Sequence, residues 1–271
     1  MSKTDLDQYR AIGREPVRAK YRGREVLANP PPSAGGILLI YALDLLMKNG
    51  NHAPSVGKIV EVMQTMQAER TWEFLEGLAQ ANFAEKFFSS RLGSTTHISV
   101  LDDAGWACSV TCSNGEGAGI VIPGTGIHIN NMMGEEDLNP HGFHLYKPGR
   151  RMPSMMCPTI VLSESKPELV LGSGGSNRIR SAILQTIINV VDRGLSIQDA
   201  VILPRLHFEN NIVYVEPGID TGELEHADLA IARFRELNLF FGGVHGVERN
   251  RDTGELSGGG DPRRGGVTLT V

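Results

Sequence analysis

At Ser94 the hydrophobic period of this chain changes, and that switch limits the folds open to it. Before it, apolar residues recur at the spacing of helices; after it, they alternate as strands do. Residues 37–46 form an apolar run too long and continuous for most strands. It reads as a largely buried helix that stops at Asn49-Gly50. Residues 55 to about 70 place Val56, Ile59, Val60, Met63 and Met66 on one helical face, and 72–88 carry Leu75, Leu78, Phe83 and Phe87 on another helix. Upstream, residues 1 to about 32 are charged and irregular. Downstream, 97–101 and 106–111 predict two strands joined at Asp102-Asp103-Ala104-Gly105, a β-hairpin. Further strands are expected at 125–131, 158–162, 168–171, 213–216, 240–247 and 266–271. Helices are expected at 179–191, with Gly194 as its stop, at 196–201 and at 227–237. The order predicts an α/β protein with sheets covered by helices. The pattern alone leaves a four-layer sandwich and other α/β arrangements open.

With 271 residues the chain can build one large layered domain or two smaller ones. A formal charge of -5 gives no reason to expect nucleic acid or an anionic membrane surface as partner. Three cysteines, Cys108, Cys112 and Cys157, make no disulfide framework. No window reaches the ~18 consecutive apolar residues of a membrane span, and no signal-peptide core opens the chain, so a soluble cytoplasmic protein is expected. The histidines are scattered, and neither a zinc-hydrolase spacing nor a Cys-x-x-Cys pair occurs, so no metal and no cofactor are expected.

The residues with chemical potential fall into four groups. Thr95 and Thr96 head the first alternating strand. If the chain were cut between Ser94 and Thr95, the new α-amine could take the proton of the Thr95 hydroxyl and make it a nucleophile. The plain alternative is that they simply start a hairpin. Gly172-Ser173-Gly174-Gly175-Ser176-Asn177-Arg178 lies between a strand and a helix, where bare backbone N–H groups and the helix end stabilise an anion or a developing oxyanion. A structural turn is the alternative, while the phosphate-loop and dinucleotide spacings do not fit. Ser113-Asn114-Gly115-Glu116-Gly117 follows the hairpin and should return near Thr95, so Ser113 could bond its hydroxyl while Asn114 or Glu116 hold a polar substrate. Asn130, Asn131, Glu135, Glu136 and Asp137 suit an ammonium group, or form a solvated acidic loop. Ser154, after Arg150-Arg151, could donate to a carboxylate.

These motifs, in this order, resemble the γ-glutamyltranspeptidase family of N-terminal-nucleophile hydrolases. Residues 95–100 resemble its nucleophile segment, 124–131 its substrate-amine region, 154–159 its serine segment, 172–179 its oxyanion loop and Asp261-Pro262-Arg263-Arg264 its C-terminal signature. Upstream, Arg14-Glu15-Pro16 and Pro31-Pro32-Ser33-Ala34-Gly35-Gly36 resemble the later part of its large subunit. The resemblance implies an αββα four-layer sandwich, incomplete on its N-terminal side. Residues 1–94 would be the mostly helical end of the large-subunit region and 95–271 the small-subunit region. It implies Thr95 as nucleophile after cleavage at Ser94–Thr95, with Thr96 and Ser113 in support. Gly174 and Gly175 would bind the oxyanion, and Asn114, Asn131, Glu135, Ser154 and Met155 would line the substrate site. The implied substrates are γ-glutamyl amides such as glutathione, with water or the amine of an amino acid or dipeptide as acceptor.

The chain departs from the family pattern in several places. Gly115 stands for an amine-binding Asn, Met132 for Gln, Glu135 for Asp, Met155 for a second serine and Ser176 for the second glycine of a pair. Only 94 residues precede the nucleophile, where the family carries a few hundred. That length implies a fragment, a truncated gene product or one part of a complex whose missing large-subunit partner supplies the rest, with a periplasmic or extracellular site if a missing region carries a signal; a homo-oligomer is the other assembly expected. The alternatives are an acylase of another amide, of cephalosporin-acylase type, and a non-catalytic structural subunit.

Overall fold

The structure is a computed structural model that describes residues 3–48, 50, 52–69, 96–135, 138–139, 142–224, 227 and 229–271. Ser94, Thr95, Glu136, Asp137 and the helix expected at 72–88 lie outside the described residues.

Its centre is a six-stranded antiparallel sheet in the order β1 (Val17–Tyr21), β2 (Arg24–Ala28), β5 (Thr159–Ser163), β6 (Lys166–Gly174), β10 (Gly243–Arg249) and β11 (Leu256–Gly260). One face is covered by α2 (Ala34–Met47), α4 (Arg178–Val191) and the short α5 (Ile197–Ile202), with α3 (Val56–Ala68) packed outside α2. The apolar run of α2 is continuous because the helix is buried nearly all round: Ile37, Leu38, Leu39, Ile40 and Leu43 are all closed to solvent. Ser55 caps α3 by accepting from the Lys58 N–H, and Ser196 caps α5 by accepting from Asp199.

On the opposite face lies the expected hairpin, β3 (Thr96–Leu101) and β4 (Ala107–Cys112). Neighbouring strand residues point to opposite sides. Leu171 sits with Ile197 of α5 beside Gly246, and Gly172 meets His97 of β3. The described residues thus form helix, sheet and hairpin layers, an α/β arrangement consistent with part of a sandwich. The hairpin is inverted relative to a usual core. His97, Ser99, Ser109 and Thr111 face the large sheet, while Ile98, Val100 and Val110 face outward at 57%, 53% and 43% exposure.

Some expectations need correction. The first 32 residues are not irregular: they hold α1 (Lys3–Gln8) and the β1–β2 hairpin, which enters the main sheet through β5. Among the described residues of 227–237 no helix forms; Ala230–Arg233 is strand β9, paired in parallel with β8 (Ile212–Val215), itself antiparallel to β7 (Leu206–Glu209). Leu229 and Ile231, two apart, both pack on the core, a strand period hidden in a helix-like run. Residues 125–131 make no strand, only a ribbon in which Ile122 N–H donates to Ile127 O at 2.9 Å and Ile129 N–H to Ile120 O at 2.9 Å. Left-handed Gly119, Gly124 and Gly126 keep turning that backbone. Strand β10 starts at Gly243 rather than 240, after a 3-10 turn at Leu239–Phe241. Residues 266–271 have no regular structure, because the turn at Pro262–Arg264 and left-handed Gly265 lead the chain off the sheet.

That turn is fixed from within. Arg263 is bound to Glu216 (Nε–Oε1 2.8 Å) and to Asp261 (Nη1–Oδ1 3.2 Å), and Arg205 Nη1 lies 2.6 Å from Asp261 Oδ2. Asp261 also accepts from the Val244 N–H at 2.9 Å, and Glu216 from the N–H groups of Arg205 and Asn238 at 2.8 Å. Burial alone would raise the Asp261 carboxyl, but Arg205 and Arg263 hold it below the usual range.

Candidate active site

Thr96, exposed at the head of β3, pairs across the hairpin with Cys112. Ser113 therefore lies one residue beyond the hairpin end to which Thr95 is attached. Its hydroxyl accepts from the Gly115 N–H at 3.0 Å. Next along β3, the buried His97 imidazole bonds Thr111 Oγ1 through Nδ1 and Ser99 Oγ through Nε2, both at 2.8 Å. Ser99 Oγ donates onward to His245 O at 3.4 Å, which assigns the ring proton to Nε2. Burial, with His245 nearby, pushes this imidazole down to about 3, so it is neutral. Ser109 Oγ donates to Leu171 O and accepts from the Thr159 N–H, each at 3.1 Å. Hydrogen bonds thus fasten the hairpin to β5, β6 and β10, and β6 is the strand that runs into the glycine loop.

The loop itself is buried from Gly172 to Asn177. Gly175 (φ +126) and Ser176 (φ +56) bend the chain from β6 into α4. Gly175 O accepts from the Arg178 N–H at 3.0 Å and Ser176 O from the Ile179 N–H at 3.1 Å. In a trans peptide the N–H points opposite its C=O. With these carbonyls turned into the helix, the N–H groups of Ser176 and Asn177 point out of its N-terminus. The loop is braced: a β-carbon on Gly175 would lie 2.7 Å from Gly242 Cα and 3.3 Å from Arg264 Nη2. Asn177 Nδ2 donates to the Glu209 carboxylate, and Arg178 Nε donates to Phe240 O at 3.0 Å. Burial pushes Glu209 up, yet His207 and the nearby Arg180 and Arg178 hold it below the usual range.

A second group centres on Gly115 (φ +57). A β-carbon there would overlap Asn131 Oδ1 and Glu135 Oε1, so both polar atoms converge on the space a side chain would fill. Asn131 Oδ1 accepts from the N–H groups of Glu116 (2.8 Å) and Gly117 (3.2 Å), which makes it a holder of the loop. Asn114 Nδ2 lies 3.0 Å from His128 Nδ1. A third group docks on the start of α2. Ser154 O accepts from the N–H groups of Ala34 (2.9 Å) and Gly35 (3.3 Å), and Ser33 Oγ donates to Met156 O at 2.6 Å. Ser154 is half-buried; Met155 is fully buried, and Met132 packs against the core.

The expected residues thus come together as one cluster (Ser113, Asn114, Asn131, Glu135), one loop (Gly174, Gly175) and one docked segment (Ser154, Met155). Sequence reasoning gave no separate role to His97 or Glu209 and took Gly172 only as part of the glycine loop; no pattern in the sequence names the ring that packs on it. Cys157 is closed off: burial pushes its thiol up to about 12, leaving it protonated at neutral pH. Among the described residues no three His, Cys, Asp or Glu side chains cluster as metal ligands, and no helix is long and apolar enough to cross a membrane.

The family model described as Gamma-glutamyltranspeptidase matches residues 1–87 and 79–271. The glutathione hydrolase proenzyme of Escherichia coli (strain K12) is 31% identical over 97% of this chain and 53% of its own length. Among solved structures, a cephalosporin acylase from Bacillus halodurans superposes with a TM-score of 0.77 at 25% identity, over 97% of this chain and 54% of that one. A gamma-glutamyltranspeptidase chain from Pseudomonas nitroreducens, complexed with L-DON, gives 0.55 at 29% identity, over 65% of this chain and 100% of that one. The chain spans about half the length of the curated relatives it matches.

Proposed function

The chain belongs to the gamma-glutamyltranspeptidase family, and from that premise we propose that it is an autoprocessing threonine hydrolase and acyltransferase acting on γ-glutamyl amides such as glutathione. The Thr95 hydroxyl attacks the carbonyl of Ser94, an N→O acyl shift follows, and water hydrolyses the ester to leave residues 1–94 and 95–271. In turnover the freed α-amine takes the hydroxyl proton, Thr95 Oγ1 bonds the γ-carbonyl carbon, and the amine leaving group departs with that proton. The acyl group then passes to water or to an amino acid or dipeptide amine. Thr96 and Ser113 support the nucleophile, Glu135 faces the substrate ammonium beside Asn114 and Asn131, and Ser154 donates to its carboxylate. Gly174 and Gly175 belong to the loop that receives the oxyanion.

The observation that carries this reading is the fastening of the β3–β4 hairpin to the strand of the glycine loop, through His97 of β3 packed on Gly172 and Ser109 of β4 bonded to Leu171 O. It sets the head of β3 over the strand that leads into a set of outward backbone donors.

A second reading, an acylase for an acyl group without the amine, is favoured by Met155. A buried methionine stands where a second serine would, so Ser154 is the single serine of that segment. Intact mass together with turnover of γ-glutamyl-p-nitroanilide and its glutaryl counterpart tests both. The main reading expects two pieces divided before Thr95 and preference for the glutamyl amide; Thr95→Ala stays whole and inert. An uncut wild-type chain, or a Thr95→Ala protein that cleaves and turns over, overturns it. Preference for glutaryl establishes the second.

A further inference from the structure

Resting on that reading, we propose that Ser176 is a further oxyanion donor, its hydroxyl acting beside the outward N–H groups of the glycine loop. Two independent observations point to it. Ser176 is a non-glycine residue held at φ +56, a left-handed backbone that L side chains avoid. Its Oγ is buried, at 7% residue exposure, without a hydrogen-bond partner among the described residues. A buried hydroxyl ordinarily finds a partner, and one that does not marks a place where another group is to be received. Strained conformations persist only where the surroundings enforce them, and they gather at working sites.

The surroundings here do enforce it. Gly175 is pressed on Gly242 and Arg264, Asn177 is tied to Glu209 and Arg178 to Phe240, so neither flank lets Ser176 relax. The same conformation turns the Ser176 N–H out of the 14-residue helix α4, whose N-terminus adds favourable partial charge for an anion. A residue whose N–H and Oγ both have no partner among the described residues can offer two donors to one oxygen. No bond to Ser176 forms or breaks. Its proton stays on Oγ throughout, and negative charge on the tetrahedral oxygen is stabilised by donation alone.

Ser176→Ala removes the hydroxyl and keeps the β-carbon; Ser176→Gly removes both. For γ-glutamyl-p-nitroanilide we expect each to lower kcat on the order of 10²-fold with KM little changed. Both should unfold at or above the wild-type temperature, because no existing hydrogen bond is lost. Wild-type kcat in Ser176→Ala overturns the proposal. So does a loss of activity matched by a fall in melting temperature, which marks a structural hydroxyl. An inactive wild-type chain overturns the parent reading instead, and this one with it.

Discussion

Gly172 lacks a β-carbon where the imidazole of His97 sits: one built there would overlap Nδ1 and lie 2.7 Å from Cγ. The two residues come from different sheets, and their fit sets the hairpin's position on β6. Gly172→Ala should therefore cost about 1–3 kcal/mol of stability by overpacking. Adding His97→Ser should recover part of that loss, so the two changes are non-additive. Urea denaturation of both single variants and the double variant checks this; strict additivity would refute the coupling.

Acid should weaken the fold through its buried imidazoles. His97 falls to about 3 and His207 to about 4, both chiefly through burial, and His245 is lowered in the same sense. Below an unfolded value of about 6.5, the unfolded chain takes up protons that the folded chain refuses. Stability is thus fully present above that pH and is lost as pH falls toward the folded values. Each group contributes at most about 1.4 kcal/mol per pH unit. His97→Gln should remove one such share of the slope between pH 6.5 and 5, read from denaturant midpoints. An unchanged slope would show that the ring is not held neutral.

The buried charges around residue 261 answer differently from those at the surface. Arg263→Met leaves Glu216 and Asp261 with one cation fewer inside the protein, and should cost about 3–5 kcal/mol. Arg18→Met breaks the exposed pair with Glu25 and should stay within about 1 kcal/mol. Thermal unfolding of the two variants side by side is the measurement.

Gly115→Ala places a methyl group on Asn131 Oδ1 and Glu135 Oε1 at a left-handed position. It should lower stability by about 1–2 kcal/mol and displace the carboxylate. KM for γ-glutamyl-p-nitroanilide should then rise about 10-fold, roughly 1.4 kcal/mol, while a glutaryl amide, which has no ammonium, changes little. Equal effects on both amides would remove Glu135 from the ammonium role.

Where the sequence carried a period, it could be read. Helices α2, α3 and α4 and the β3–β4 hairpin stand close to where spacing puts them, and the order of motifs points to the family. Strand β11 was unreadable because its last residues are Gly258-Gly259-Gly260, chosen by the closeness of Thr268, the Ile197–Gln198 backbone and Gly266. Pattern has no signal for a residue selected by its neighbour's bulk. Strand β9 looked helical because half-buried Ile231, with Leu229 just before the strand, is too little signal to outweigh the flanking run. In the site, residue types suggested which groups matter but not their duties. Asn131 braces a loop through its amide oxygen, and Met155 is interior, facts that depend on where distant segments meet.

The polar inner face of the β3–β4 hairpin has a mechanical consequence. Two apolar sheets are held by many weak, non-directional contacts. Directional bonds from Ser99 to His245 O and from Ser109 to Leu171 O, with the one Ser109 accepts from the Thr159 N–H, allow only discrete settings. The strand carrying Thr96 is therefore indexed like a ratchet tooth, seated in one notch or disengaged. Graded weakening of this seam should yield a mixture of aligned and misaligned molecules rather than a uniformly softened one.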